Sequence, residues 1–182
     1  MKKRKKPKDM KDGKISDVRS SLCFFMLHVI SLIMKQDTMK YSLRPATNDD
    51  IEFMFQLRFN TMKPFFENTH GWNDTEELDK AADELNHAKI VMVGNEQIGI
   101  IKVIPKTKEL HLHQLQIKPE FQKKGLGAEL MSKTIEWSEK LEVPITLFVI
   151  TSSPAKSLYD RFGFVITEEF EHHCTMCRQP KF

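Results

Sequence analysis

Gln116-Ile117-Lys118-Pro119-Glu120-Phe121-Gln122-Lys123-Lys124-Gly125-Leu126-Gly127 is the stretch on which the reading of this chain turns. In order it is the end of an apolar run, a proline-marked exit, a glutamine with two lysines, and a Gly-Leu-Gly that opens a long helical pattern. That is a strand, a turn and a helix N-terminus. Free backbone N–H groups and the positive end of the helix dipole make such a terminus an anion site, and glycines let the backbone approach the ligand. Phosphate is the guest this chemistry suits. A nucleotide-triphosphate loop would carry Lys-Ser or Lys-Thr after its last glycine, where Ala128-Glu129 stand; a dinucleotide fingerprint would carry a third glycine and an acidic residue about 20 positions on.

The strand leading into this stretch, Glu109 to Ile117, changes phase. Leu110 and Leu112 occupy even positions, whereas Leu115 and Ile117 occupy odd ones. One apolar face stays continuous only if an extra residue is inserted, which predicts a β-bulge near His113 and Gln114. Upstream, Ala88 to Val93 and Gln97 to Ile104 flank a turn at Gly94-Asn95-Glu96 and read as a hairpin. Downstream, a helix is predicted from Gly125 to about Lys140, with Leu126, Leu130, Trp137 and Leu141 on one stripe and Met131 and Ile135 beside it. Pro144 to Ile150 is a continuous apolar run, as for a strand buried on both faces. Ser153 as N-cap and Pro154 begin a last helix, which Gly163 stops, and Phe164 to Ile166 and His172 to Arg178 are the final strands.

Nearer the N-terminus, Tyr41 to Pro45 is a first strand, and Thr47-Asn48-Asp49-Asp50 caps a helix burying Ile51, Phe55, Phe59 and Met62, with Lys63-Pro64 as its end. Asn73 with Glu76 caps a second helix whose apolar stripe is Leu78, Ala81, Ala82 and Leu85.

A length of 182 residues suits one domain with an extension, and 40% hydrophobic with 29% charged residues is a globular composition. The formal charge of +3 is unevenly placed: residues 1–39 hold ten Lys/Arg against four Asp/Glu, and residues 40–182 hold 18 against 21. The main domain is therefore not expected to bind nucleic acid. The extension is basic, then apolar from Leu22 to Met34, a run shorter than the about 20 residues of a membrane span and followed by no small-residue cleavage site. A packed helix, a partner or membrane-surface anchor, and sequence upstream of a start at Met39 all remain open for it. Three cysteines, Cys23, Cys174 and Cys177, are too few for a disulfide framework, so a cytoplasmic location is expected. Cys174-x-x-Cys177 lacks a second ligand pair, and positions three apart on a strand face opposite ways, so no metal is expected.

The order β-α-α-β-β-β-α-β-α-β over residues 40–182, with a phosphate loop Gln122-x-x-Gly125-x-Gly127 after the fourth strand, resembles the GNAT N-acetyltransferase superfamily. Ala155-Lys156-Ser157-Leu158-Tyr159-Asp160-Arg161-Phe162-Gly163-Phe164 resembles that family's Ala-x-x-Leu-Tyr-x-x-x-Gly-Phe helix. The resemblance implies an α/β fold with a mixed, mostly antiparallel sheet and a bulged fourth strand splayed from the fifth. It implies acetyl-CoA as donor, its pantetheine amides on the backbone of Gln116 and Ile117 and its pyrophosphate on the N–H groups of Gln122, Lys123, Lys124, Gly125, Leu126 and Gly127. Ser153 stands where many members carry an Asn that contacts the pantetheine arm.

The implied reaction is acetyl transfer to a primary amine by direct attack in a ternary complex; the other reading is a GNAT-fold module that binds acyl-CoA without turnover. Tyr159 resembles the family's general acid and also reads as a core aromatic. His111 stands where some members place a catalytic Glu, and His113 is two residues on. An imidazole with a pKa near 6.5 is suited to draw a proton from an ammonium, although both also read as solvated histidines on a half-buried strand. Glu67, His70 and Trp72, between the first two helices, are candidates for an acceptor pocket or ordinary loop residues. The acceptor is a small-molecule or peptide amine, and homodimerisation is open.

Overall fold

The computed structural model describes residues 39–67 and 71–181. The readings of the extension, and of His70, fall outside those residues. Seven strands, β1 (Ser42–Pro45), β2 (Ala88–Val93), β3 (Glu96–Lys106), β4 (Glu109–Ile117), β5 (Ile145–Ile150), β6 (Val165–Glu169) and β7 (His173–Arg178), form one sheet in the order β1-β2-β3-β4-β5-β7-β6. Only β4 and β5 run parallel. Helices α1 (Ile51–Phe66) and α2 (Asp74–Ala82) pack on one face, burying Met54, Leu57 and Ala81 against Ala88, Ile90 and Ile100. Helices α3 (Leu126–Leu141) and α4 (Ala155–Arg161) take the other face, where Leu126, Leu130, Met131 and Tyr159 meet Leu110, Leu112, Ile117, Leu147 and Met176. Among the described residues no helix is long and apolar enough to cross a membrane.

The N-terminal half is fastened by ion pairs. Asp50 takes both guanidinium nitrogens of Arg44 (2.8 and 2.6 Å), the Thr47 N–H (2.7 Å) and the Gln97 amide (2.6 Å), joining β1, the turn before α1 and β3. The Arg44 guanidinium first, opposed by burial and aided by Thr47, holds the Asp50 carboxyl far below the usual carboxylate range. Arg58 of α1 and Glu77 of α2, both buried, make a two-bonded pair, and Lys80 adds a bond of 2.5 Å to Glu77.

These ion pairs explain where the predicted stripes rotate. The buried face of α1 is Met54, Leu57 and Arg58, whereas Phe55 and Phe59 are half-buried and turn toward Trp72. In α2 the inward residues are Glu77 and Ala81, and Leu78 is exposed, because the Arg58 charge needs an anion inside. α1 does not stop at Lys63-Pro64 but runs through Pro64 to Phe66; so close to its end, the missing N–H costs at most one helical bond. In α3, Thr134 and Ser138 are buried while Trp137 and Leu141 are exposed, since both hydroxyls bond carbonyls, of Leu130 and Val143, and so lose their need for water. Cys174 and Cys177 fall on opposite faces of β7.

Candidate active site

The predicted insertion is present at His113. β3 pairs Lys102 with Gln114 but Val103 with Leu112, so His113 has no partner opposite it. Leu110, Leu112 and Ile117 thereby all reach the α3 side, while His111, Gln114 and Gln116 lie on the face that carries α1 and α2. β4 and β5 pair only over Leu110–Leu112 and Ile145–Leu147; from Phe148 onward β5 pairs with β7 alone. Beyond the bulge, β4 thus has a free edge inside the sheet.

Three features converge on that edge. Gly99 of β3 stands opposite Ile117, and a Cβ there would meet the Gln116 carbonyl oxygen at 2.6 Å, so only glycine lets β3 hold this end of β4. Gln122 donates from its side-chain amide to the Ile117 carbonyl (2.7 Å), folding the loop back on the strand. Lys123 (φ 58°) and Gly125 (φ 83°) are left-handed, and the N–H groups of Lys123, Lys124 and Gly125 bond no backbone carbonyl among the described residues. Consecutive free N–H groups in such a turn, followed by the first turn of α3, form an anion-binding concavity. Lys124 lies over the Phe121 ring at 5.3 Å. The Gln114 amide (5% exposed) is unpartnered at both atoms, and Gln116 Oε1 (9% exposed) is unpartnered too. Leaving such groups unsatisfied costs about 1–3 kcal/mol each.

His111 is buried and shares a 3.0 Å hydrogen bond between its Nδ1 and Thr146 Oγ1 on β5. Burial first, then the Lys106 ammonium, lowers its pKa, against Glu109. The His113 pKa is lowered to about 4, by burial and then by Lys102. His113 is itself an exposed residue at the bulge, so water softens that depression, but either way the imidazole is neutral at neutral pH. The ring centres are 5.9 Å apart. Lys102, opposite the bulge, is wholly buried and donates to the carbonyls of Ala81 and Asp83 at the end of α2; burial lowers its pKa to about 8.

Tyr159 lies in α4 against Phe164, with its pKa pushed up to about 12 by burial, and no described residue hydrogen-bonds its hydroxyl. Ser153 Oγ accepts from the Ala155 N–H (3.3 Å), but the N-cap of α4 is Pro154 and not Ser153, one residue later than expected. Glu67 pairs with Lys63 at 3.6 Å; Trp72 packs on Phe55, Phe59 and Phe66 and donates to Asp74 at 2.7 Å. Those contacts stay within the α1–α2 pair, whereas the imidazoles contact β5. Lys102, Thr146 and Gly99 escaped the sequence reading. Only Gly99 carried a signal, an isolated glycine within a β-branched run.

The family model described as "Acetyltransferase (GNAT) domain" matches residues 60–174. The chain belongs to the GNAT acetyltransferase family. It is therefore an acyltransferase, and acetyl transfer is the activity of its family. No curated protein sequence matches it. Among solved structures it is similar to Ard1 from Thermoplasma volcanium (19% identity, TM-score 0.61, 78% of this chain and 99% of that one). It is similar also to the PaiA N-acetyltransferase of Thermoplasma acidophilum, solved in complex with coenzyme A (16%, 0.62, 78% and 99%). A third is the ribosomal-protein-S18-alanine N-acetyltransferase of Escherichia coli (15%, 0.59, 79% and 96%). At these identities the likeness shows the GNAT fold.

Proposed function

We propose that this GNAT protein moves an acetyl group from acetyl-CoA to a primary amine, by direct attack within a ternary complex and without an acyl-enzyme. The observation that carries the reading is the free inner edge of β4 after His113, ending in a loop of unbonded N–H groups. Backbone groups of Gln116 and Ile117 would hold the pantetheine amides, and the unpartnered Gln114 and Gln116 side chains supply further partners beside them. The N–H groups from Gln122 to Gly127, with the charges of Lys123 and Lys124, would hold the pyrophosphate; the Ser153 hydroxyl already accepts from the Ala155 N–H. Acetyl-CoA supplies the activated thioester.

An ammonium must lose a proton before it attacks. The neutral imidazoles of His111 and His113 would accept it, directly or through water. The phenol of Tyr159, protonated at any physiological pH, would meet the departing sulfur. A thiol has a pKa near 8.5, so Tyr159 is the weaker acid by roughly three orders of magnitude. Its contribution is a hydrogen bond to the developing thiolate rather than completed proton transfer.

Saturating acetyl-CoA is expected to raise the melting temperature, since a ligand of the folded state alone must do so; thiol release against an amine panel then identifies acceptors. No melting shift would overturn the donor site, and a shift without thiol release on any amine would overturn amine transfer.

A further inference from the structure

The face of the sheet that carries α1 and α2 is covered by them only over its N-terminal strands. Cross-strand partners continue it beyond β4: His111 pairs with Thr146, Thr146 with Cys177 and Cys177 with Val165; Phe148 pairs with Thr175 and Thr175 with Glu168. Partners in register share a face, so these rows run from the imidazoles to the edge strand β6. No described helix lies over them. Phe148 and Val165 are each 63% exposed and Phe170 45%. The Phe148 ring centre is 5.4 Å from that of His111 and 6.4 Å from that of His173, on which Phe170 stacks at 4.5 Å. Phe148, Val165 and Phe170 thus gather on one sheet face with half-buried Thr175 and Cys177 between the strands that carry them, a patch of the kind that marks an interaction surface.

Charge and length select the occupant. Of the Asp, Glu, Lys and Arg side chains on β5, β6 and β7, Glu168 is in register with this face, whereas Glu169 and Arg178 fall on the other, Glu169 opposite Cys174 and Arg178 opposite Ile145. From β4 to β6 is three strand spacings, about 14 Å, which four or five extended residues span. A small amine would leave most of this face bare.

We infer that the acceptor is a basic polypeptide segment, laid extended across β5, β7 and β6 with apolar side chains on Phe148, Phe170 and Val165, a cationic one at Glu168, and its reacting amine at His111 and His113. The inference rests on the amine-transfer reading above. It places Phe148, Val165, Glu168 and Phe170 as specificity determinants outside the chemistry.

The test compares two acceptors in the thiol-release assay. One is a hexapeptide with a free α-amine, apolar residues at positions 1 and 3 and arginine at 5, so that it carries one acceptor amine; the other is the amide of its first residue. The expected kcat/KM is at least tenfold higher for the hexapeptide. In a Val165→Ser/Phe170→Ser double variant, checked for an unchanged acetyl-CoA melting shift, that ratio falls toward one. In Glu168→Lys it falls as well, and most at low salt. A ratio of one in the native chain, or a ratio indifferent to these variants, would overturn the inference while leaving amine transfer standing. A concentration-dependent dimer that those same variants dissolve would overturn it in favour of a second copy on this face. Turnover of neither acceptor, with the melting shift intact, would overturn amine transfer and the inference together.

Discussion

Upstream of His113, β4 is an ordinary inner strand, paired with β3 on one side and β5 on the other; downstream it is paired with β3 alone. One residue separates the two regimes. A helix pair held by the buried Arg58–Glu77 ion pair packs on the strands beside β4, over Ala88, Ile90 and Ile100, and Ile100 is the β3 partner of Gln116. The downstream part carries a free edge, unpartnered glutamine amides and an unbonded loop. The candidate site is thus a gap opened within a sheet, and the helix pair supplies rigidity beside it. Changes in the helix pair should cost stability and spare ligand binding; changes at the edge and its loop should weaken ligand binding.

The largest effect is expected from Glu77→Ala. It strands the Arg58 charge in the interior and should lower the free energy of unfolding by about 3–5 kcal/mol. Burial pushes the Glu77 carboxyl up, but Lys80 and Arg58 outweigh it and hold its pKa below the ordinary value. The stabilisation is therefore present above the unfolded carboxylate pKa and lost as pH falls through the folded one. Denaturant unfolding at neutral and acid pH checks this, and a variant as stable as the native chain would remove the helix pair from the contrast.

Tyr159→Phe should lower kcat by about 10²-fold, as for loss of one hydrogen-bond donor to developing negative charge, with little change in melting temperature, since the lost hydroxyl bonds no described residue. Steady-state kinetics that left kcat untouched would end the assignment. Smaller still, Gly99→Ala pushes the Gln116 carbonyl outward at an overpacking cost of about 1–3 kcal/mol. Titration calorimetry should find acetyl-CoA binding weakened about tenfold, which is about 1.4 kcal/mol; unchanged affinity would detach Gly99 from the donor edge.

The subtlest effect is electrostatic. Lys102→Met removes the second cause of the low His113 pKa, burial being the first. The NMR titration midpoint of His113 should rise from its lowered value toward the ordinary 6.5 without reaching it. A base must be neutral to work, so the acid limb of activity should rise with it. An unmoved midpoint would make Lys102 only a cap for the end of α2.

The bulge was legible because it leaves a phase slip between Leu112 and Leu115, and the loop because Gly125 and Gly127 stand after a strand. What was not legible is partnership across the fold. Nothing local tells that Glu77 must face inward, since its reason is Arg58, nineteen residues earlier. Nor does Pro144 to Ile150 reveal that Phe148 is exposed; a continuous apolar run reads as a strand covered on both faces, and here one of its faces has no described helix over it. Lys102, in an apolar strand, gave no sign of the carbonyls of Ala81 and Asp83 that hold it.

Hydrogen–deuterium exchange with and without acetyl-CoA tests the central claim, that the free edge of β4 and its loop form the donor site. The expected result is protection of the amides from Gln114 to Gly127, with β2 and the upstream part of β3 unchanged. Unchanged exchange across residues 114–127, or protection confined to the basic cleft lined by Arg161, Arg178 and Lys181, would contradict it.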